Sequence, residues 1–464
     1  MFRIASHYFD RSLLILLFIE AAVLLFSAFV GTLVRFPEKV IAFDELRSFI
    51  IPAIIFVGAM TLSMSAMGMY QNQASRGSAG LVSKLGSAYV ISFILISVAF
   101  FVAPSAQMGR GVLALIFVVS SIGLLSTRLI FMKQHRSGRF ASRVLVLGSG
   151  ELAKECGDLA ESLSGTSKYT IVGYLRVENE PLSVSEQQLV ARKSTLFETA
   201  RHYNAMNVVV ALHNKRGENF PLAELLECKL RGIQITEASD FFERQACQIR
   251  VKSLHSSWLV FGGGFDQSDY RIFCKRAFDI AVSVSLALIS IPVMAITTVM
   301  ILLEDRGPIF YSQERVGLGG RTYMVHKFRS MACNAEQSGR PQWAMENDPR
   351  VTRVGGIIRK LRIDELPQLF NVLLGEMSFV GPRPERPYFV EQLSKCIPYY
   401  DLRHSIKPGI TGMAQVRYAY GASVEDSLQK LQYDLYYVKN NSLFLDILIL
   451  IDTVQVVLLG KGAR

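Results

Sequence analysis

Two adjacent carboxylates, Asp364 and Glu365, sit in the run "RKLRIDELPQLFNVLLGEMSFVGPRPERP". Arg383 follows on a stretch stiffened by Pro382 and Pro384, and "IKPGITG" supplies a second fixed turn further on. Guanidinium groups bind phosphate oxygens through a planar fork, so arginines on rigid loops suit a small phosphorylated ligand. Asp364 occupies a plausible helix N-cap, with Pro367 tolerated in the first turn. The helix dipole at such a position is expected to lower its pKa. Capping is the plain structural alternative for both carboxylates.

These residues need a scaffold, and composition restricts what it can be. The chain has 464 residues, half of them apolar, and its mean hydropathy of +0.28 is high for a purely cytosolic protein. Fifty Lys plus Arg against 39 Asp plus Glu give a net charge of +11. A basic balance of this size raises nucleic acid, anionic lipid or phosphorylated substrates as partners. The charge is unevenly spread. Residues 1–142 carry 12 basic and 5 acidic groups, residues 143–270 carry 14 and 16, and residues 271–464 carry 24 and 18. The excess therefore avoids the middle of the chain. Nucleic acid would call for base-stacking aromatics among the basic residues, whereas Arg383 and Arg386 stand among prolines, so no nucleic-acid partner is expected. Six scattered cysteines, with no Cys-x-x-Cys spacing, point to neither zinc nor disulfides.

Four apolar stretches, about 12–34, 49–70, 85–103 and 111–132, are long enough to cross a bilayer. The first has no small-residue cleavage site after it and reads as an uncleaved anchor. Arg3, Arg11, Arg76, Lys84, Arg128, Lys133, Arg136 and Arg139 flank one side of the set, against Arg35, Lys39, Arg47 and Arg110 on the other. The positive-inside rule places both ends of this block on the cytoplasmic side. Glu20 lies well inside the first span and is either a functional carboxylate or one paired with a polar neighbour.

From Ser142 the pattern changes to short β-rich runs alternating with polar helices. "RVLVLGSGELAKECGDLAE" reads as strand, glycine turn and helix, with Gly148, Gly150 and Ala153 at dinucleotide-turn spacing. A Rossmann-like α/β domain is expected over 142–262. The acidic residue that would close its second strand is unclear, because Arg176 precedes Glu178. A structural or regulatory role is favoured over nucleotide binding. A fifth apolar run, residues 278–303, is interrupted by Ser290 and Pro292 and flanked by basic residues at both ends. A re-entrant helix-break-helix hairpin is expected here, since a full span would carry everything after it out of the cytoplasm.

"KRAFD", "SQERVG", "HKFRSM", "DPRVTRVG", "DELPQLFNVLLGEMSFVGPRPERP", "KPGITG", "AQV" and "YDLYYVKNNSLFLD" occur in this order over residues 275–446. As a set they resemble the bacterial sugar transferase domain of polyprenyl-phosphate phosphoglycosyl transferases. With four spans and a Rossmann-like middle, the chain is similar to the large members that initiate exopolysaccharide or capsule assembly. The resemblance implies three parts: a four-span bundle at 1–141, the α/β domain at 142–262, and a monotopic α/β catalytic domain at 263–464. It implies transfer of a sugar 1-phosphate from a UDP-sugar to undecaprenyl phosphate on the cytoplasmic face of a bacterial inner membrane, with release of UMP. Asp364 would be the nucleophile, with Glu365 helping it to hold Mg²⁺. Lys327, Arg359 and Arg383 would lie near phosphate or uridine. Asp434 would be metal-proximal, against the alternative of a surface helix charge. Arg276 and Asp279 would contribute to binding, unless they form an ion pair three residues apart on a helix. Gln313 and Arg315 would be further members of the pocket, and a homodimer is the expected assembly.

Two departures from the family stand out. Met413 replaces a frequent Trp, and "AQVRYAYGAS" replaces the usual continuation with Arg417, Tyr418 and Tyr420. That stretch is expected to bear on the sugar. A nucleotide-sugar sensor without catalysis is the runner-up function. The apolar tail 443–459 carries Asp446 and Asp452, so it should lie on a membrane surface or pack as a core helix.

Overall fold

The computed structural model describes residues 2–4, 7–9, 11–35, 46–70, 78–136, 142–162, 169–177, 180–212, 220–251, 254, 263–265, 267–333, 348–418, 421 and 423–458. Glu178 and Tyr420, weighed above, lie outside them. The chain divides into two compact units, one running from Tyr8 to Ala246 and the other from Cys247 onward together with Arg3–His7.

The first unit begins with α1 (Arg11–Arg35), α2 (Leu46–Ala66), α3 (Ser78–Val102) and α4 (Arg110–Arg136). Stretches of α1, α3 and α4 are long and apolar enough to cross a membrane, and α2 contributes the shorter apolar segment Ile50–Ala66. Phe18, Phe26, Ile54, Val90, Phe101 and Ile122 point outward while Leu24, Phe56, Met60, Ile96 and Ile116 pack inside. An apolar exterior over an apolar interior is the pattern of a bundle solvated by lipid. Gly31 and Gly123 sit where α1 and α4 approach closely. A Cβ at either would fall 2.6 Å from Ile116 or 2.5 Å from Val23. Between the same helices, Glu20 accepts from Arg128 Nε at 2.6 Å and Nη2 at 2.9 Å, and from the Tyr70 hydroxyl at 2.7 Å. Arg128 Nη1 also donates to the Met69 carbonyl. Glu20 is thus a paired, buried carboxylate that ties helices together.

The same unit continues with β1 (Ser142–Leu147), α5 (Glu151–Ser162), β2 (Tyr169–Leu175), α6 (Leu196–His202), β3 (Asn207–Val210), α7 (Leu222–Leu230), β4 (Gln234–Glu237) and α8 (Ala238–Ala246). The strands form one parallel sheet in the order β2-β1-β3-β4. Val144 and Val146 face a core with Cys156 and Phe242, whereas Leu145 and Leu147 face another with Leu196 and Cys228. Burial on both faces is why these strands read as continuous apolar runs.

The second unit opens with α9 (Asp269–Asp305), one helix of 37 residues that contains Pro292. The expected break is corrected. Proline removes one backbone donor, yet the helix runs unbroken through it, with Ser290 Oγ donating to the Ala287 carbonyl. Asp279, Ser283, Ser290, Thr297 and Ile301 form a buried stripe, while Leu288, Ile289, Ile291, Ile296 and Leu303 are exposed. Next come the antiparallel hairpin β5 (Phe310–Val316) and β6 (Thr322–Phe328) and the helices α10 (Arg353–Lys360) and α11 (Gln368–Leu374). A parallel pair, β7 (Ser378–Val380) and β8 (Gly409–Thr411), brackets α12 (Pro387–Cys396). The chain then forms α13 (Met413–Arg417), α14 (Val424–Asn440) and α15 (Leu443–Leu458). Leu369, Phe379, Phe389, Tyr400, Leu435, Tyr436 and Ile449 share the core of this unit. The apolar tail is a core helix, because Asp446 is buried against Lys275 Nζ at 2.8 Å and the Tyr437 hydroxyl at 2.6 Å. His7 also joins this unit, with Nδ1 2.8 Å from the Tyr436 hydroxyl.

Candidate active site

Asp364 and Glu365 lie on a single 3₁₀ turn, Ile363–Glu365, between α10 and α11. Arg362 enters that turn in the left-handed conformation at φ 59°. The bend brings both carboxylates in from the surface, and Asp364 keeps 8% of its exposure and Glu365 9%. The N-cap expectation is corrected, because Pro367 is the residue before α11 and no side chain caps that helix. Freed from capping, Asp364 loses the predicted stabilisation by the helix dipole. Burial, followed by the charge of Glu365, pushes its pKa up to about 6, against smaller opposing effects of Lys327, Arg362 and Arg359. Among the described residues no hydrogen bond is donated to its carboxylate.

Glu365 takes the opposite state. Burial opposes its charge, but Lys327, Arg383 and Arg362 outweigh it and hold the carboxyl well below the usual range. All three cations converge on Oε1: Arg383 Nη2 at 3.1 Å, Lys327 Nζ at 3.4 Å and Arg362 Nη1 at 3.6 Å. Burial in turn lowers the pKa of Lys327, which lies at the end of β6. Arg359, in the last turn of α10, is near enough to act electrostatically on Asp364. Two acids with divergent ionisation, ringed by four cations, form a pocket with surplus positive charge. That surplus suits a substrate with several phosphate oxygens.

Other expected residues brace this pocket. Arg276 donates to the Val372 carbonyl at 2.5 Å and the Leu373 carbonyl at 2.7 Å, fixing the end of α11. Asp279 accepts from Phe379 N and Ser378 Oγ. The two therefore hold separate backbone segments and do not form the ion pair weighed as the structural alternative. Arg315 donates to Gln313 Oε1 and to the Pro384 carbonyl, steadying the loop that bears Arg383. Asp434 is buried in α14, 2.8 Å from Arg403 Nη2, which removes the surface-charge alternative.

Arg417 pairs with Asp452 at 3.1 Å and Tyr418 donates to Asp426, so these two side chains of the second departure serve helix packing, while Met413 is buried in the core of the unit. Sequence reasoning missed three residues. Arg362, two positions before Asp364, could have been found by proximity. Asn371 is fully buried and bridges α11 to β6 by donating to the Met324 carbonyl and accepting from His326 N, with no signal of its own in the sequence. Arg403, beside "KPGITG", was the third.

In the middle of the chain, Gly148 holds φ 130°, and a Cβ there would fall 2.6 Å from the Ala211 carbonyl oxygen. Ala153 is buried against the sheet. The Glu180 carboxylate accepts from Ser149 N at 2.7 Å and lies beside Gly150.

A turn-borne acidic pair in a basic pocket, beside a long apolar helix, defines an enzyme that handles phosphorylated substrates at a membrane. Residues 270–460 match the bacterial sugar transferase family. Over 412 residues the chain is 33% identical to the UDP-glucose:undecaprenyl-phosphate glucose-1-phosphate transferase of Xanthomonas campestris, covering 85% of this chain and 84% of that one. Over 240 residues it is 45% identical to the UDP-N-acetylgalactosamine-undecaprenyl-phosphate N-acetylgalactosaminephosphotransferase of Aeromonas hydrophila, covering 52% and 56%. A UDP-glucose:undecaprenyl-phosphate glucose-1-phosphate transferase of Escherichia coli is 40% identical over 193 residues, 41% of each chain. The chain belongs to this family of polyprenyl-phosphate phosphoglycosyl transferases.

Proposed function

We propose that the protein transfers a sugar 1-phosphate from a UDP-sugar to undecaprenyl phosphate, the first membrane step in building a surface glycan. The observation that carries the reaction is the split between the acids. Asp364, which accepts no hydrogen bond among the described residues and whose pKa burial raises to about 6, stands beside a Glu365 kept ionised by three cations. An ionised Asp364 oxygen attacks the phosphorus next to the sugar, and the bond to the UMP oxygen breaks with its electron pair on UMP. The lipid phosphate then attacks the same phosphorus, breaks the Asp364–phosphorus bond and leaves as the diphosphate-linked sugar. Lys327, Arg359, Arg362 and Arg383 offset charge that builds on the phosphate oxygens.

The donor set fits magnesium. Among the described residues no group of three His, Cys, Asp or Glu is gathered, but Mg²⁺ commonly takes one or two carboxylates plus substrate phosphates. Asp364 and Glu365 would hold it, and when bound it would supply positive charge to the diphosphate.

That α9 meets the membrane without crossing it draws support from its two ends. Arg276 and Asp279 near one end hold residues 372–379, and near the other Glu304 accepts from Arg353 N while Asp305 pairs with Arg329. One compact unit gripping both ends cannot straddle a bilayer, so the catalytic unit stays on the cytoplasmic side. The parallel sheet with helices on both faces supports a Rossmann-like assignment for the middle region.

The test is UMP release by the nanodisc-embedded protein, supplied with undecaprenyl phosphate, Mg²⁺ and UDP-N-acetylgalactosamine, UDP-glucose or UDP-galactose. Release with one donor, and exchange of labelled UMP into that donor without lipid, is the expected result. Activity without such exchange would overturn the two-step route, and no UMP from any donor would overturn the function.

A further inference from the structure

Arg403 has no place in the chemistry above, yet it is a buried arginine committed to three partners. Nη1 donates to the Tyr400 hydroxyl at 2.6 Å, and Nη2 donates to the Arg383 carbonyl at 2.8 Å. The same Nη2 lies 2.8 Å from the Asp434 carboxylate, with the two side chains 7% and 2% exposed. Burying a guanidinium is costly unless it is paired, and Asp434, reaching in from α14, supplies the counter-charge. The bond to Arg383 falls on the backbone of the residue whose side chain meets Glu365.

The rest of that loop is held from its other side. Arg315 Nη1 donates to the Pro384 carbonyl, and Val316 N donates to the Glu385 carbonyl. Prolines on either side of Arg383 have no N–H, so this segment can be fixed mainly through its carbonyls. Arg403 holds one of them and Arg315 the next.

We propose that Arg403 is a positioning residue: anchored by Asp434 and Tyr400, it sets the backbone of Arg383 so that the Arg383 guanidinium faces the diphosphate of the UDP-sugar. The proposal rests on the functional reading above. It assigns Asp434 an indirect role, as the counter-charge that keeps Arg403 in place. A guanidinium can serve Tyr400, Asp434 and Arg383 together because its donors are spread in a fixed fork, which a lysine ammonium cannot reproduce.

The experiment is a double-mutant cycle on the full-length protein in nanodiscs, measuring UMP release against UDP-sugar concentration for wild type, Arg403→Lys, Arg383→Ala and the pair. Arg403→Lys should raise KM about tenfold with kcat within about threefold, the mark of a lost binding interaction. In the Arg383→Ala background the same change should add less than twofold, because the residue it positions is gone. Effects that multiply in the double variant, or a loss in kcat at unchanged KM, would overturn the positioning role. If Arg403→Lys melts below the assay temperature, Asp434→Asn, close to isosteric, reads the same coupling and must show the same non-additivity. A wild type that releases no UMP would instead overturn the functional reading, so the two failures are separable.

Discussion

Two regions of this chain present backbone or side-chain groups suited to phosphate, and they balance their charge in opposite ways. In the middle sheet, the turn after β1 offers the Ser149 amide where a diphosphate could dock, but the Glu180 carboxylate already accepts from it. In the catalytic unit, Lys327, Arg359, Arg362 and Arg383 surround only two carboxylates, one of which is raised to about 6. The first region is satisfied internally and gains little from an incoming anion. The second carries a surplus that a multiply charged substrate would neutralise. The surrounding charge thus separates them in the same sense as the motifs do.

The largest test of this contrast is Asp364→Asn. UMP release should fall by about 10³-fold or more, as for loss of a nucleophile. The melting temperature should move the other way. The folded pKa of about 6 lies above the ordinary 3.8, so at neutral pH the ionised group opposes folding by roughly 2–3 kcal/mol. Asparagine removes that cost, so the catalytic unit should melt a few degrees higher. An inactive variant that also melts lower would mean that Asp364 is held by bonds it does not show here.

Glu365→Gln should come next, with turnover down about 10²-fold. The substitution leaves Lys327, Arg362 and Arg383 without their shared anion, so inorganic diphosphate should inhibit the variant more strongly than the wild type. Unchanged inhibition would show that those cations do not compete between Glu365 and the ligand.

Much of this arrangement is legible in the sequence. The acidic pair, Lys327 and Arg383 are carried by motifs that are specific as a set, and apolar runs of bilayer length announce the helices. What the sequence concealed was how charge is shared across distance. The spacing around Asp364 suggests a capped helix and a lowered pKa. A left-handed Arg362 instead turns the pair inward, and burial reverses the shift. Asp434 could be read equally well as a surface charge, because its partner Arg403 is 31 positions earlier in the sequence. The break expected at Pro292 fails for a related reason. Tertiary contacts at both ends of α9 hold a helix that local preference would interrupt.

A smaller effect is expected from pH. The nucleophile must be ionised, so kcat should be flat above neutrality and drop about tenfold per unit well below pH 6. Stability responds in the reverse sense. A carboxyl whose folded pKa is raised binds its proton more tightly when folded, so its cost is absent below about pH 4, grows between pH 4 and 6, and is constant above. In Asp364→Asn that growth in cost between pH 4 and 6 should vanish. Its persistence would assign the titration to another group, with buried Asp434, also pushed up to about 6, the first to examine.

The smallest effect should come from Glu180→Ala in the middle region. UMP release should stay within twofold, since nothing in the proposed reaction uses this turn. Loss of a carboxylate that satisfies a backbone amide beside a helix start costs about 1 kcal/mol, so the melting temperature should fall slightly. The vacated Ser149 amide, at the start of α5, then becomes open to an external anion. NAD⁺, which is not a uridine nucleotide, is the useful probe. It should raise the melting temperature of the alanine variant and leave that of the wild type unchanged. Micromolar NAD⁺ binding by the wild type, with Glu180 in place, would break the comparison, because a turn that admits a dinucleotide past its own carboxylate was not closed by it.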